Sequence, residues 1–302
     1  MSSAGSLTNA FSVRCTLSVR DDRILPFTRV MAAVVTAILV TAWIVLYLWP
    51  EQTDRRFAWT VAPTMTPMLM GAGYGSAALF WARVTAGRRW HVVGLGFLPT
   101  TVFTWMLLVA TILHWDKFHQ GTGVFRLWLW VYIVTPVVVP AVWAWNRRED
   151  PGVPDASDPP FPKPVVVALV ASGVVMLAIA AWLFFFPSSA IGVWPWSLTP
   201  LTARTVAAFV ALPGVAWLAI AADARWSATK AVVETLATGL VLLLIAVARA
   251  WGEFDKGRPL TWAYVGGLVG TLAALVIWFG WMERARRDPQ ESTGLTIEGS
   301  HR

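Results

Sequence analysis

The chain has 302 residues, of which 57% are hydrophobic and only 14% charged, with a net charge of +7. Soluble domains carry roughly 25% charged residues, so an ordinary soluble enzyme and a disordered chain are excluded. A single Cys among 20 Trp also excludes a disulfide scaffold. The composition fits a protein whose solvent is lipid.

Residues 1–23 form a polar, Ser-rich arm that is expected to lack fixed structure. Cys15 lies in this arm, away from any lipid-attachment pattern, and reads as incidental. A bilayer core needs about 20 apolar residues in helix. Eight segments meet that requirement: Phe27–Trp49, Thr64–Ala82, His91–His114, Val124–Trp145, Pro164–Phe186, Thr199–Ala222, Ala228–Ala250 and Thr261–Met282. Their apolar runs are continuous, not alternating, which predicts helices, not barrel strands. The first run is too long for a signal-peptide core and lacks a small-residue cleavage pattern, so it is expected to stay in the mature chain. The predicted fold is therefore all-α: a polytopic integral membrane protein with eight transmembrane helices.

Asn146–Lys163, rich in Pro and Asp, reads as a linker that divides the chain in half. The expected organisation is an arm at 1–23, four helices within 24–149, a linker at 150–163, four helices within 164–287 and a polar tail at 288–302. Loops on the terminus-bearing side carry sixteen of the 24 Lys and Arg, and the other side carries eight. The positive-inside rule then puts both termini in the cytoplasm, with the plasma membrane as the location. The cations are dispersed between apolar runs, with no basic helix or RNA-binding motif, so nucleic acid is excluded as a partner.

The two halves resemble each other. Pro50, Trp59 and Pro63 match Pro187, Trp196 and Pro200 at a constant spacing of 137, and Phe57 matches Trp194 as an aromatic. Trp115, Phe118 and Gly121 match Trp251, Phe254 and Gly257 at a spacing of 136, as do Trp145 and Trp281. Two parallel four-helix repeats are expected, related by a pseudo-two-fold axis along the membrane normal. The best-matched blocks fall in the loops away from the termini. Trp59, Trp196, Trp115 and Trp251 are expected there as interface anchors or as the walls of an aromatic vestibule.

Ionisable groups inside lipid carry a functional hypothesis by default. Glu234 lies about two turns into the seventh segment, with Lys230 and Thr238 one turn to either side. It is expected to face the bundle interior. As an isolated acid its pKa would rise by desolvation, which suits a proton or cation relay; Lys230 is the expected partner if it is paired. Arg204, near the start of the sixth segment, is expected to snorkel outward or to pair with Asp116, Glu253 or Asp255. It has no counterpart in the first half, where Pro67 aligns. His114, Asp116 and His119 form an H-x-D-x-x-H pattern at a helix end, a weak metal candidate because a third firm ligand is absent. His91 and His114 sit at opposite ends of one helix and so cannot share a haem; no cofactor is implied.

Gly71, Gly73 and Gly75, and Gly266, Gly267 and Gly270, have the spacing that lets helix backbones approach closely. Pro99, Pro136, Pro140 and Pro213-Gly214 are expected to kink their helices. HExxH, GxSxG, P-loop and paired-carboxylate motifs are absent. The leading expectation is a transporter-like or permease-like protein that binds a small solute or lipid between its repeats. Its substrate-binding candidates are Glu234, Arg204, Trp59, Trp196, Trp115, Trp251, Asp116, Glu253 and Asp255. The alternative is a non-catalytic subunit of a membrane complex, with homo- or hetero-oligomers as partners. An intramembrane enzyme would need His114, Asp116, His119 and Arg204 to converge.

Overall fold

In the computed structural model, which describes residues 20–287, the chain is a bundle of eight long helices. They are α1 (Pro26–Trp43), α2 (Met65–Ala86), α3 (Phe97–Leu113), α4 (Gly123–Asn146), α5 (Lys163–Phe185), α6 (Pro200–Asp223), α7 (Trp226–Arg249) and α8 (Pro259–Arg287). No strand forms among the described residues, apart from an isolated bridge between Arg23 and Arg89. Cys15 and the polar tail at 288–302 lie outside the described residues.

Seven of the helices are long and apolar enough to cross a membrane. The exception among the long helices is α2, expected at Thr64–Ala82 as a span like the others. Its sequence is diluted by Thr66, Gly71, Gly73, Gly75, Ser76 and Arg83, and most of its residues are buried by protein. A helix that meets protein on most of its surface has no need of a lipid-compatible exterior. By contrast α1, α5 and α8 are mostly open along their apolar lengths, as lipid-facing helices are.

Helix ends follow local chemistry. Thr199 and Thr202 close the start of α6 with a reciprocal capping box, and Pro200 occupies the first helical position. The Thr122 hydroxyl caps α4 by accepting from the Phe125 N–H. The helix begun at Pro26 passes into a π-helical turn, Ile44–Leu48, and breaks at Trp49, before Pro50. α5 breaks at Phe186, before Pro187. The two break residues share one backbone conformation, φ −124°, ψ 55° and φ −124°, ψ 52°. A following proline disfavours the helical region for the residue before it.

α2 and α6 are the inner helices. α2 packs chiefly on α1 and α7, and α6 packs chiefly on α5 and α3. α4 then packs on α3, and α8 on α7. The third helix of each half thus lies against the second helix of the other half. Small residues on α2 also let it approach the first helix and α6 closely. A Cβ on Gly71 would stand 2.7 Å from Tyr47 Cβ, one on Gly75 would stand 2.6 Å from the Trp43 ring, and one on Gly73 would run into the Phe209 ring. The central core gathers Met65, Met68, Met70, Tyr74, Phe103, Val206 and Phe209 around this contact.

Two expectations from small and cyclic residues do not hold. Gly266, Gly267 and Gly270 on α8 meet nothing within the chain, so their spacing does not produce a helix contact here. Pro99 lies in the first turn of α3, where its missing N–H is tolerated. The break in that segment falls earlier, between the short helix His91–Gly94 and Phe97, where Gly96 abuts the Phe80 ring. Pro136, Pro140 and Pro213 do lie inside their helices.

The polar arm and the linker are also more ordered than expected where they are described. Asn146 is fully buried; its Oδ1 accepts from Leu25 N at 3.0 Å and Thr28 Oγ1 at 2.8 Å, and its Nδ2 donates to Arg23 O at 2.8 Å. The Arg225 guanidinium donates to both Asp150 oxygens at 2.8 and 3.0 Å. Asp158 accepts from Ser227 N at 3.0 Å and Ser227 Oγ at 2.6 Å, closing the start of α7. Buried or part-buried polar groups need such partners, and the linker's carboxylates supply them.

Candidate functional site

Polar chemistry concentrates at the two ends of the bundle. At the end away from the termini, each half carries an aromatic box. In the first, Trp59 meets Phe118 at 5.0 Å and Trp128 at 4.8 Å, and His119 N donates to Ala58 O at 2.8 Å. In the second, Trp196 meets Phe254 at 5.2 Å and Tyr264 at 5.4 Å, and Asp255 N donates to Pro195 O at 2.8 Å. Trp59 and Trp196 are 2% and 1% exposed. They are packed cores, not interface anchors, and the boxes are filled, so they form no vestibule. Trp115 is exposed at the surface, and Trp251 is partly so, stacking on Phe254.

Arg204 does not pair with Asp116, Glu253 or Asp255. Its Nε donates to Phe184 O at 3.1 Å and its Nη1 donates to His114 Nε2 at 2.6 Å. The acids are engaged elsewhere. Asp116 pairs with its neighbour Lys117, and Asp255 with Arg258. Glu253 reaches across to the first half and accepts from Thr64 N at 2.9 Å, Met65 N at 2.8 Å and the Thr64 hydroxyl. There it satisfies orphan N–H groups and meets the positive end of the α2 dipole. Arg249 similarly caps the end of the first helix, donating to Tyr47 O at 2.8 Å.

His114, Asp116 and His119 do not converge. His119 contacts Thr60 Oγ1 and Phe57 O, both at 3.2 Å, while His114 turns to Arg204 and Asp116 to Lys117. Among the described residues no three His, Cys, Asp or Glu side chains form a metal-binding group. Burial and the Arg204 charge hold the His114 pKa below the usual imidazole value. A neutral His114 is what the arginine requires, since Nε2 accepts its hydrogen bond.

Glu234 is not isolated. Its Oε2 lies 2.5 Å from Arg83 Nη2, on α2 of the other half. Lys230, the expected partner, is taken by Glu283 at 3.1 Å, which also accepts from Trp226 Nε1 at 2.8 Å. The premise of an unpaired acid with a desolvated carboxyl is replaced by a neutralised pair.

The terminus-bearing end holds a cavity of about 390 Å³, within the range of ligand pockets. Residues of the first half, the linker and the second half line it, among them His91, Leu98, Arg147, Asp150, Asp223 and Arg225. None of the substrate-binding or metal candidates singled out from the sequence lines it. His91 is 2% exposed; its Nδ1 lies 2.6 Å from Asp22 Oδ2, and its Nε2 has no hydrogen-bond partner. Arg89 bridges Asp22 at 3.1 Å and Asp155 at 2.9 Å. Hydrogen bonding to Arg89 holds the Asp155 carboxyl below the usual carboxylate range, against a smaller opposing push from burial. Burial pushes Asp150 up, but its bonds to Arg225 and to the Gly152 N–H outweigh that and leave it below the usual value.

The signal for this site was the acidity of the linker. Asp150, Asp155 and Asp158 stand close in sequence, and their partners Arg225, Arg89 and Ser227 lie 75, 66 and 69 residues away. Comparisons of the chain with protein-family models, with curated proteins and with solved structures find no match.

Proposed function

We propose that the chain is a plasma-membrane protein of eight crossing helices, built as two parallel four-helix repeats with both termini cytoplasmic. It binds a small solute or lipid, in the manner of a permease, in the cavity between the halves at its cytoplasmic end. The repeat is supported by the mutual packing of second and third helices and by the matched boxes around Trp59 and Trp196. It is also supported by the shared conformation of Trp49 and Phe186. α2 is the eighth crossing, made polar by its interior position. The positive-inside excess supports the orientation.

The observation that carries the binding reading is the cavity itself, walled by both halves and containing arginine and histidine. Clefts between structural units are where small-molecule sites concentrate. The test uses the part-buried Leu98 of its wall. A Leu98→Cys, Cys15→Ser protein is treated in membranes with a small neutral thiol reagent. Reaction in the folded protein, on the cytoplasmic side, is expected. A thiol inert until unfolding would end the binding reading.

The second reading, a non-catalytic subunit of a complex, is favoured by one observation: Trp105 and Trp130 stand open on α3 and α4. Purification in mild detergent with a stoichiometric partner supports it, and a lone monomer counts against it. The enzyme reading is dropped, because only Arg204 and His114 meet, while Asp116 turns to Lys117 and His119 to Thr60 and Phe57.

A further inference from the structure

The charges in the cavity wall do not balance. Arg20, Arg147 and Arg225 line it, with Asp150 and Asp223 as the acids. Both acids are spent on Arg225. Asp150 takes Nη1 and Nη2 at 2.8 and 3.0 Å, and Asp223 takes Nε and Nη2 at 2.7 Å each. Among the described residues Arg20 bonds only a neutral group, the Asp150 carbonyl, at 2.8 Å. Arg147 stacks on the Trp143 ring at 4.4 Å and has no ion-pair partner among the described residues. Stacking holds a guanidinium by its face and leaves its N–H edge free for a planar or tetrahedral oxyanion. Among the described residues two guanidiniums in one cleft therefore lack a carboxylate partner, and the wall carries a net charge of +1. Trp90, Leu95, Leu98 and Trp143 supply an apolar wall beside them.

We infer that this cavity takes a phosphate monoester or free phosphate, bound by Arg20 and Arg147, with any apolar part of the ligand against Trp143 and Leu98. A phosphate monoester carries roughly −1.5 to −2 charges at neutral pH, opposite in sign to the wall's net +1 from three arginines and two aspartates, and it can meet both arginines that lack a carboxylate partner. Its oxygens accept the forked N–H bonds that arginine offers. The linker, through Gly152 and Pro154, forms part of the wall, so the ligand is held from three sides. The same chemistry is carried by inorganic phosphate and by the headgroup of phosphatidic acid.

This inference rests on the cavity reading above, and one set of measurements separates their failures. The Leu98→Cys, Cys15→Ser protein is reacted with anionic, neutral and cationic methanethiosulfonates, each rate divided by that of a free model thiol. The anionic reagent is expected to react about tenfold faster than the cationic one, as a positive cleft enriches anions, and Arg147→Gln is expected to remove most of the preference. Arg147→Lys keeps it. Inorganic phosphate, or phosphatidic acid in phosphatidylcholine nanodiscs, is expected to slow the neutral reagent; phosphatidylcholine alone does not. Protection by phosphate in detergent identifies a soluble ligand, and protection by the lipid alone identifies a headgroup; either supports the inference. Reaction without sign preference and without protection overturns it while leaving the cavity intact. No reaction with any reagent overturns both. Protection of the protein with Arg147 intact is decisive even if the arginine variants fail to fold.

Discussion

Arg83 of α2 and Glu234 of α7 form an ion pair 2.5 Å long that ties the two halves of the chain together. Both side chains are partly open, so the pair is worth about 1 kcal/mol, well short of a sealed pair. Arg83 Nη1 also reaches Ala231 O at 3.4 Å. Glu234→Gln and Arg83→Gln are each expected to lower thermal stability in detergent, and the double variant to lose less than the sum. Additive losses in that double-mutant cycle would mean the two charges are not coupled.

Glu253 makes a different link between halves, as the cap of α2. Glu253→Ala strips the acceptor from two backbone N–H groups and a hydroxyl. A loss of about 1–2 kcal/mol is expected, the upper range for a lost cap. Glu253→Gln keeps one acceptor oxygen and is expected to lose less. Unfolding followed by tryptophan emission measures both; an unaffected Glu253→Ala protein would remove the cap from the account.

Much of the fold was legible because lipid imposes one rule on every residue that faces it. α1, α5 and α8 are open along their lengths, so their sequences had to be apolar. α2 obeys a different rule because it faces protein, and its Gly71, Gly73 and Gly75 read correctly as a packing face. The same kind of pattern at Gly266, Gly267 and Gly270 meets nothing, since spacing does not say whether a partner helix is present. The site was less legible. Arg204 and His114 were each singled out, but their contact at 2.6 Å spans 90 residues and joins two helices with no sequence link. Asp22 lay in a segment read as a polar arm, and Asp150 and Asp155 in one read as a linker, because a carboxylate in such a segment looks the same whether it faces water or an arginine.

The linker clamp has a pH dependence with a definite sign. Asp155 and Asp150 both titrate below the usual carboxylate range, through Arg89 in one case and Arg225 in the other. A carboxylate with a depressed native pKa binds fewer protons folded than unfolded, so it stabilises the fold above the ordinary value of about 3.9. That contribution fades as pH falls through the native pKa. Amide exchange in residues 150–158 is therefore expected to stay slow, after correction for intrinsic rates, at mildly acidic pH. Release is expected only below about pH 4. Release beginning near pH 6 would point to a histidine instead.

His114 gives the opposite end of the bundle its own acid sensitivity, at higher pH. Its native pKa is depressed, so its neutral form contributes stability above the ordinary imidazole value of about 6.5, and that contribution is lost as pH falls through the lower native value. Protonation also removes the acceptor for Arg204. His114→Gln retains an acceptor that cannot take the proton, and is expected to flatten the stability profile below about pH 6.5. An unchanged slope would assign the acid loss to another group.

The inner helices offer the sharpest test of packing. Gly73 faces Phe209, whose ring is wedged against Tyr74 at 5.3 Å and Phe103 at 4.8 Å. Phe209 cannot turn aside, so Gly73→Ala must push α2 and α6 apart, at about 1–3 kcal/mol. Gly267 lies in the interior of α8 with open space around it. There the same substitution only removes backbone freedom and is expected to gain about 0.5–1 kcal/mol. The two variants differ by one methyl group each and should move the unfolding temperature in opposite directions. Equal shifts would show that α2 and α6 do not meet at Gly73 in the folded protein.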